Sequence, residues 1–189
     1  MQNFHRIASG VDTTQLVFGY KRRPTIWKED TYLRDYAQGP FEDMESIMLR
    51  FPEKSVHETQ EALAAHTANF DQHECINYPG WWQFPEAQKL VRSVMNLVDG
   101  ERIGRVFINK LKPGGKIYRH ADSPAHAAYW RRFHLPLESN VGVRFHCGKE
   151  EIYMAQGEIW WFNNALEHEV HNETSEDRVH LVMDFRLPA

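Results

Sequence analysis

The chain has 189 residues, 42% of them hydrophobic and 25% charged, with a formal net charge of −4. That length suits one domain with a sizeable core and is short for two. The mild acidity argues against a protein that holds nucleic acid by neutralising phosphates, and no apolar run has the length needed to span a bilayer, so neither nucleic acid nor membrane is expected as a partner.

In chain order, the opening stretch MQNFHRIASGVDTTQ lacks the basic-then-apolar pattern of a secretory signal, and the residues up to 45 carry no clear periodicity. SIMLRF, residues 46–51, reads as a short strand, and HETQEALAAHTANF, from His57, as a weak helix. PEAQKLVRSVMNLVDG, residues 85–100, is the clearest element. Leu90, Val91, Val94, Met95, Leu97 and Val98 share one helical face, Pro85 suits the first turn and Gly100 suits the stop.

After Gly100 the pattern changes to short strands: RVFINKL, GKIYRHAD, RFHLPLE, GVRFHCG, EEIYMA, EIWWFN, HEVHN and DRVHLVMDFRL, with Gly, Asn, Pro and Asp between them. About eight such strands predict a sandwich, barrel or jelly roll. The expected fold is therefore mainly β, a single domain over 1–189, with residues 1–100 as a helical and strand buttress on one sheet and 101–189 as the core. Cys75 and Cys147 are too few for a disulfide framework or a cysteine zinc site, and a cytoplasmic, reducing location is the simplest expectation.

The chain holds eleven histidines, and one of them raises the question of function: His120 lies two residues before Asp122. On a strand such a pair projects to one face. Taken alone it reads as a surface hydrogen-bonded pair. A metal reading needs a third ligand from a distant strand, and His126, His134, His146, His168, His171 and His180 are the candidates. His168 opens a strand just past the NNALE turn, and Arg178 follows ten positions later. Two histidines and one carboxylate leave three coordination positions open, the site type of non-haem Fe(II) oxygenases. A guanidinium binds the carboxylate of a co-substrate bidentately.

From Arg105 to Arg186 the chain resembles the aspartyl/asparaginyl β-hydroxylase family of 2-oxoglutarate- and Fe(II)-dependent oxygenases. The resemblance rests on INKLKPGGKIYRHAD, RFHLPL, GVRFHCG, GEIWWFNNALEHEVHN and DRVHLVMDFR, in that order. It implies a double-stranded β-helix, a jelly roll of the cupin-like kind, with Fe(II) held by His120, Asp122 and His168. It also implies 2-oxoglutarate as co-substrate, bound by Arg178 with His134, Arg132 and Asn109, and O2 as oxidant. The expected activity is hydroxylation of an unactivated C–H bond in an amino acid or a peptidyl residue, with release of succinate and CO2. Some members have Gly where this chain has Asp122.

Two other classes compete: a cupin-like metalloprotein without 2-oxoglutarate chemistry, and a non-catalytic binding module. Arg178 speaks against the first and the intact triad against the second. Alternation puts Arg178, His180, Val182 and Asp184 on one face of the last strand, which suits either a polar lumen or solvent. Trp160 and Trp161 fall on opposite faces of theirs, one expected in the core and the other a candidate for substrate contact. Tyr118 shares the face of His120, as a wall of the site or as core.

Overall fold

The structure, a computed structural model, describes residues 1–36, 39–54 and 59–188. In chain order come β1 (Phe4–Ala8), α1 (Thr14–Lys21), a 3-10 turn (Pro24–Lys28), β2 (Met44–Phe51), α2 (Gln60–Asn69), β3 (Ile76–Asn77), α3 (Pro79–Gln83) and α4 (Pro85–Leu97). Then follow β4 (Arg102–Leu111), β5 (Lys116–His120), α5 (Pro124–Tyr129), β6 (Arg131–Glu138), β7 (Val143–Cys147), β8 (Glu150–Ile152), β9 (Ile159–Phe162), β10 (His168–Asn172) and β11 (Arg178–Arg186). Every strand expected after Gly100 forms. Of the weak helix, His57 and Glu58 lie outside the described residues; its remainder starts where Thr59 Oγ1 accepts a hydrogen bond from the Ala62 N–H at 3.2 Å.

The strands make two antiparallel sheets, one ordered β1-β9-β6-β11-β4-β2-β3 and the other β5-β10-β7-β8. This is the expected double-stranded β-helix. One face of the larger sheet packs on α1 and α4, where Leu16, Tyr20, Val91 and Val94 meet Val179, Leu181, Met183 and Phe185 of β11. Between the sheets lies a second apolar layer that includes Phe4, Met44, Leu111, Phe145, Trp160 and Phe162. Each such aliphatic or aromatic side chain contributes about 1.5–3 kcal/mol when fully buried. Both faces of β11 are thus covered, and Arg178, His180, Val182 and Asp184 point away from the helices.

The first 45 residues do more than the sequence discloses. β1 pairs with β9 at the sheet edge, and α1 with the following turn buries Leu16, Tyr20, Ile26 and Trp27. These elements are short, and α1 leaves Phe18 on the outside, so no helical stripe is legible. The stripe in α4 is narrower than expected: Val91 and Val94 are buried with Ala87, while Leu97 is 52% exposed. Trp160 is core and Trp161 packs against the helix-side layer. Cys75 and Cys147 are both free thiols.

α4 stops one residue earlier than a glycine stop implies. Asp99 takes the left-handed conformation at φ 53°, and the Gly100 N–H reaches back to the Met95 carbonyl at 2.8 Å. A side chain at that φ is strained. Asp99→Gly is therefore expected to raise stability by about 0.5–1 kcal/mol, read as an upward shift in thermal midpoint; an unchanged or lower midpoint would mean the carboxylate offsets the strain.

Candidate active site

His120 and His168 stand directly opposite each other in the pairing of β5 with β10, their ring centroids 4.3 Å apart. Each imidazole is oriented from behind by the backbone. His120 Nδ1 donates to the Tyr118 carbonyl at 2.7 Å, and His168 Nδ1 to the Leu166 carbonyl at 2.9 Å. With Nδ1 protonated, Nε2 carries the lone pair in both rings, the tautomer a metal requires. Burial holds both histidines below their ordinary range, and His168, also facing His120, is pushed down to about 4. Both are neutral at neutral pH.

Asp122 completes the group, with one ligand atom from each residue lying within 4.8 Å of the others. Strand alternation is not what puts it there. β5 ends at His120, and Asp122 occupies the loop before α5. Asn164 holds it twice: the Asp122 N–H donates to the Asn164 carbonyl at 3.1 Å, and Asn164 Nδ2 donates to Asp122 Oδ2 at 2.7 Å.

Arg132 differs from the sequence expectation. It borders the cavity, but its guanidinium is occupied by two carboxylates and does not face a co-substrate freely. Nη1 meets Asp122 Oδ2 at 2.7 Å, while Nε and Nη2 donate to Asp184 at 2.8 and 2.9 Å. His126 Nε2 lies 3.0 Å from Asp184 Oδ2. Burial works against all these charges, yet mutual attraction wins: Arg132 is raised, and Asp122 and Asp184 are held below the usual carboxylate range. The network fixes Oδ2 of Asp122.

Arg178 is the opposite case. It is 1% exposed, lines the same cavity and has no carboxylate within ion-pair distance among the described residues. Its Nη2 donates to His180 Nδ1 at 2.9 Å, and Nε has no partner. Burial alone pushes it down to about 9. Because His180 Nδ1 accepts from Arg178, the contact of 3.2 Å between the Nδ1 atoms of His134 and His180 makes His134 the donor. Burial, reinforced by Arg178, holds both rings well below the ordinary histidine range. Asn109 also lines the cavity, its Oδ1 accepting from Ser46 Oγ at 2.9 Å.

The cavity has a volume of about 470 Å³, within the range that holds small molecules. Its wall includes His120, Asp122, His168, Asn109, Arg132, His134 and Arg178, so the residues singled out in the sequence converge. Sequence reading missed Asn164, Asp184, Ser46 and Arg105, and it offered His126 only as a metal ligand, whereas the structure sets it against Asp184. Asn164 had a signal in the turn before His168, and Asp184 shared the face of Arg178. His171 pairs with Glu169 and lies outside the triad, and Tyr118 is 42% exposed, neither core nor cavity wall.

A double-stranded β-helix whose lumen carries two tautomer-locked histidines, a carboxylate and buried guanidiniums is, by class, a jelly roll with a candidate metal site. The profile of the Aspartyl/Asparaginyl beta-hydroxylase family matches residues 77–188, and the chain belongs to that family. No curated protein matches. Among solved structures, a prolyl-4-hydroxylase from Pseudomonas putida is similar with TM-score 0.53 at 14% identity, over 99% of this chain and 94% of that one. The viral collagen prolyl hydroxylase of Paramecium Bursaria Chlorella virus-1, in a complex with 2OG, gives 0.50 at 11% identity, over 99% and 97%. An oxidoreductase of the 2OG-Fe(II) oxygenase family from Burkholderia pseudomallei gives 0.51 at 16%, over 76% of this chain and 66% of that one, just under two thirds of its length. At these identities the likeness is one of fold.

Proposed function

We propose that the protein is a dioxygenase that hydroxylates an unactivated C–H bond of an amino acid or peptidyl residue, using Fe(II), 2-oxoglutarate and O2 and releasing succinate and CO2. Arg178 carries this reading. A buried guanidinium without a counter-charge costs several kcal/mol, and a dicarboxylate entering the cavity would supply the missing charge. A cupin-like site without such a co-substrate leaves this cation unexplained.

The donor set fits the metal. His120 and His168 would ligate through Nε2, their Nδ1 protons being held by backbone carbonyls, and Asp122 through Oδ1, since both of its side-chain hydrogen bonds fall on Oδ2. Fe(II) with its co-substrate and O2 would supply the oxidative chemistry, and the protein binding and orientation. Arg178 would take the distal carboxylate, aimed by His180. His134 would act through His180, which it steadies, and Asn109 would offer Nδ2, its Oδ1 being engaged by Ser46.

Arg178→Met tests the reading. Loss of a charge-assisted bidentate contact, worth about 1.5–3 kcal/mol, should weaken 2-oxoglutarate binding roughly tenfold to a hundredfold by calorimetry, with metal affinity unchanged. Without ligand, the variant should melt higher than wild type. The wild-type cation bears its burial cost at neutral pH, and that cost declines only as pH rises above about 9. Equal co-substrate affinity in the two proteins would remove Arg178 from the anchor role.

A further inference from the structure

One cavity cation is claimed by neither the metal site nor the co-substrate. Arg105 lies on β4 and lines the cavity beside Phe107 and Asn109, which follow it at alternate positions on the same face. It makes no ion pair among the described residues, and its Nε is buried without a partner. Its guanidinium carbon sits 5.1 Å from the centroid of the Phe51 ring, which lines the cavity too. Burial lowers Arg105, and the charges of Asp184 and Arg132 act on it from a distance.

Counting the charges separates the three guanidiniums. Arg132 pairs with Asp184, the charge of Asp122 would answer the metal as well as Arg132, and Arg178 would be neutralised by the co-substrate. Arg105 is left over. Arg105 and Arg178 enter the cavity from different places along the sheet: on β4 the partner of Arg178 is Leu111, six positions from Arg105. The side chains around Arg105 are mixed: Phe51 and Phe107 are apolar, with Leu33 and Val182 in the same cluster, while Asp184 on the neighbouring strand acts on it by charge.

We infer that Arg105 is the anchor for the primary substrate, and that this substrate carries a carboxylate on an apolar body, the carboxylate meeting Arg105 and the body lying against Phe51 and Phe107. This rests on the reading above, because the co-substrate's claim on Arg178 is what leaves Arg105 free. A carboxylate fits because a guanidinium fork binds it bidentately. The same chemistry could come from a free acid or from a side-chain carboxylate within a peptide.

The experiment uses the full chain loaded with Mn(II) and 2-oxoglutarate under anaerobic conditions. Probes are free L-proline, L-leucine, L-methionine and L-phenylalanine, 3-phenylpropanoate, and N-acetylated, C-amidated peptides containing Asp or Glu, each beside its neutral primary amide. Dissociation constants are measured for wild type, Arg105→Gln and Arg105→Lys. The inference expects the tightest probe to be an acid, its amide to bind at least tenfold more weakly, and Arg105→Gln to lose roughly tenfold to a hundredfold for the acid. Arg105→Lys should recover part of the loss, and 2-oxoglutarate affinity should be equal in all three proteins, which also reports that the variants are folded. Whether free acids or peptides bind identifies the source. A tightest probe that is neutral, no acid bound by wild type, or an acid affinity unchanged in Arg105→Gln would each overturn the assignment. Failure of the co-substrate reading would look different: wild type would not bind 2-oxoglutarate, whatever Arg105→Gln does to the acids.

Discussion

Arg132→Leu is expected to destabilise the protein by about 3–5 kcal/mol, the usual consequence of removing one member of a buried ion pair. The loss arises mainly at Asp184, which is fully buried and would keep only His126 as partner. Asp122 would lose the contact to Oδ2 but retain Asn164. Urea denaturation at neutral pH measures the effect, and its pH dependence identifies the cause. In wild type, Asp184 and Asp122 have depressed folded pKa values, so their contribution is present above the unfolded value of about 3.9 and is lost as pH falls toward the folded ones. Without Arg132, burial dominates at Asp184 and raises its folded value. Acid then relieves the variant, and the gap to wild type should narrow as pH falls. Arg132→Leu combined with Asp184→Leu should regain much of the loss, because the orphaned charge is gone. A gap that is constant from neutral pH to pH 4 would show that Asp184 is not its source.

The second large effect is on metal binding. Wild type should take up one divalent ion per chain, and His120→Ala or His168→Ala should each weaken binding beyond the roughly 10–100-fold that loss of an outer partner costs. The two rings are supplied by paired strands whose ladder does not depend on the side chains, so circular dichroism should report an intact fold. Asp122→Asn keeps the shape and the Asn164 contact but removes the charge, so its Fe(II) affinity should fall between those of wild type and Asp122→Gly. Metal analysis after anaerobic reconstitution checks these four variants and the His120→Ala/His168→Ala double variant. Full occupancy in the double histidine variant would overturn the triad. Equal dissociation constants for wild type, Asn and Gly would show that Asp122 is no ligand and serves only Arg132 and Asn164.

Outer partners hold the three side chains of the triad in place. They are the Tyr118 and Leu166 carbonyls for the rings, and Asn164 with Arg132 for the carboxylate, and a metal at the triad would displace none of them. Pre-positioning of this kind lowers the entropy lost when an ion binds.

Local chemistry determined much of this protein from the sequence alone. Short alternating runs bounded by Gly, Asn, Pro and Asp specify β4 to β11, because side-chain alternation and turn geometry act over a few residues. Helix α4 was legible from its stripe and its proline start. The set His120, Asp122, His168 and Arg178 was legible through the motifs shared with the family, since His120 and Asp122 taken alone read as a surface pair. The elements before residue 46 were not, since β1 and α1 gain their order from β9 and the helix-side core and carry little pattern of their own. Alternation along β11 could say that Arg178, His180 and Asp184 share a face, but not whether that face meets water or a lumen. Only the closing of the second sheet over it decided that. The same closure set the fate of each arginine. Arg132 and Asp184 are 52 residues apart in sequence and joined across neighbouring strands, whereas Arg178 and Arg105 form no ion pair with a carboxylate among the described residues. Charge in a sequence is a property of one residue; whether it is neutralised depends on which strands are paired and in what register, and that is settled only by the folded chain.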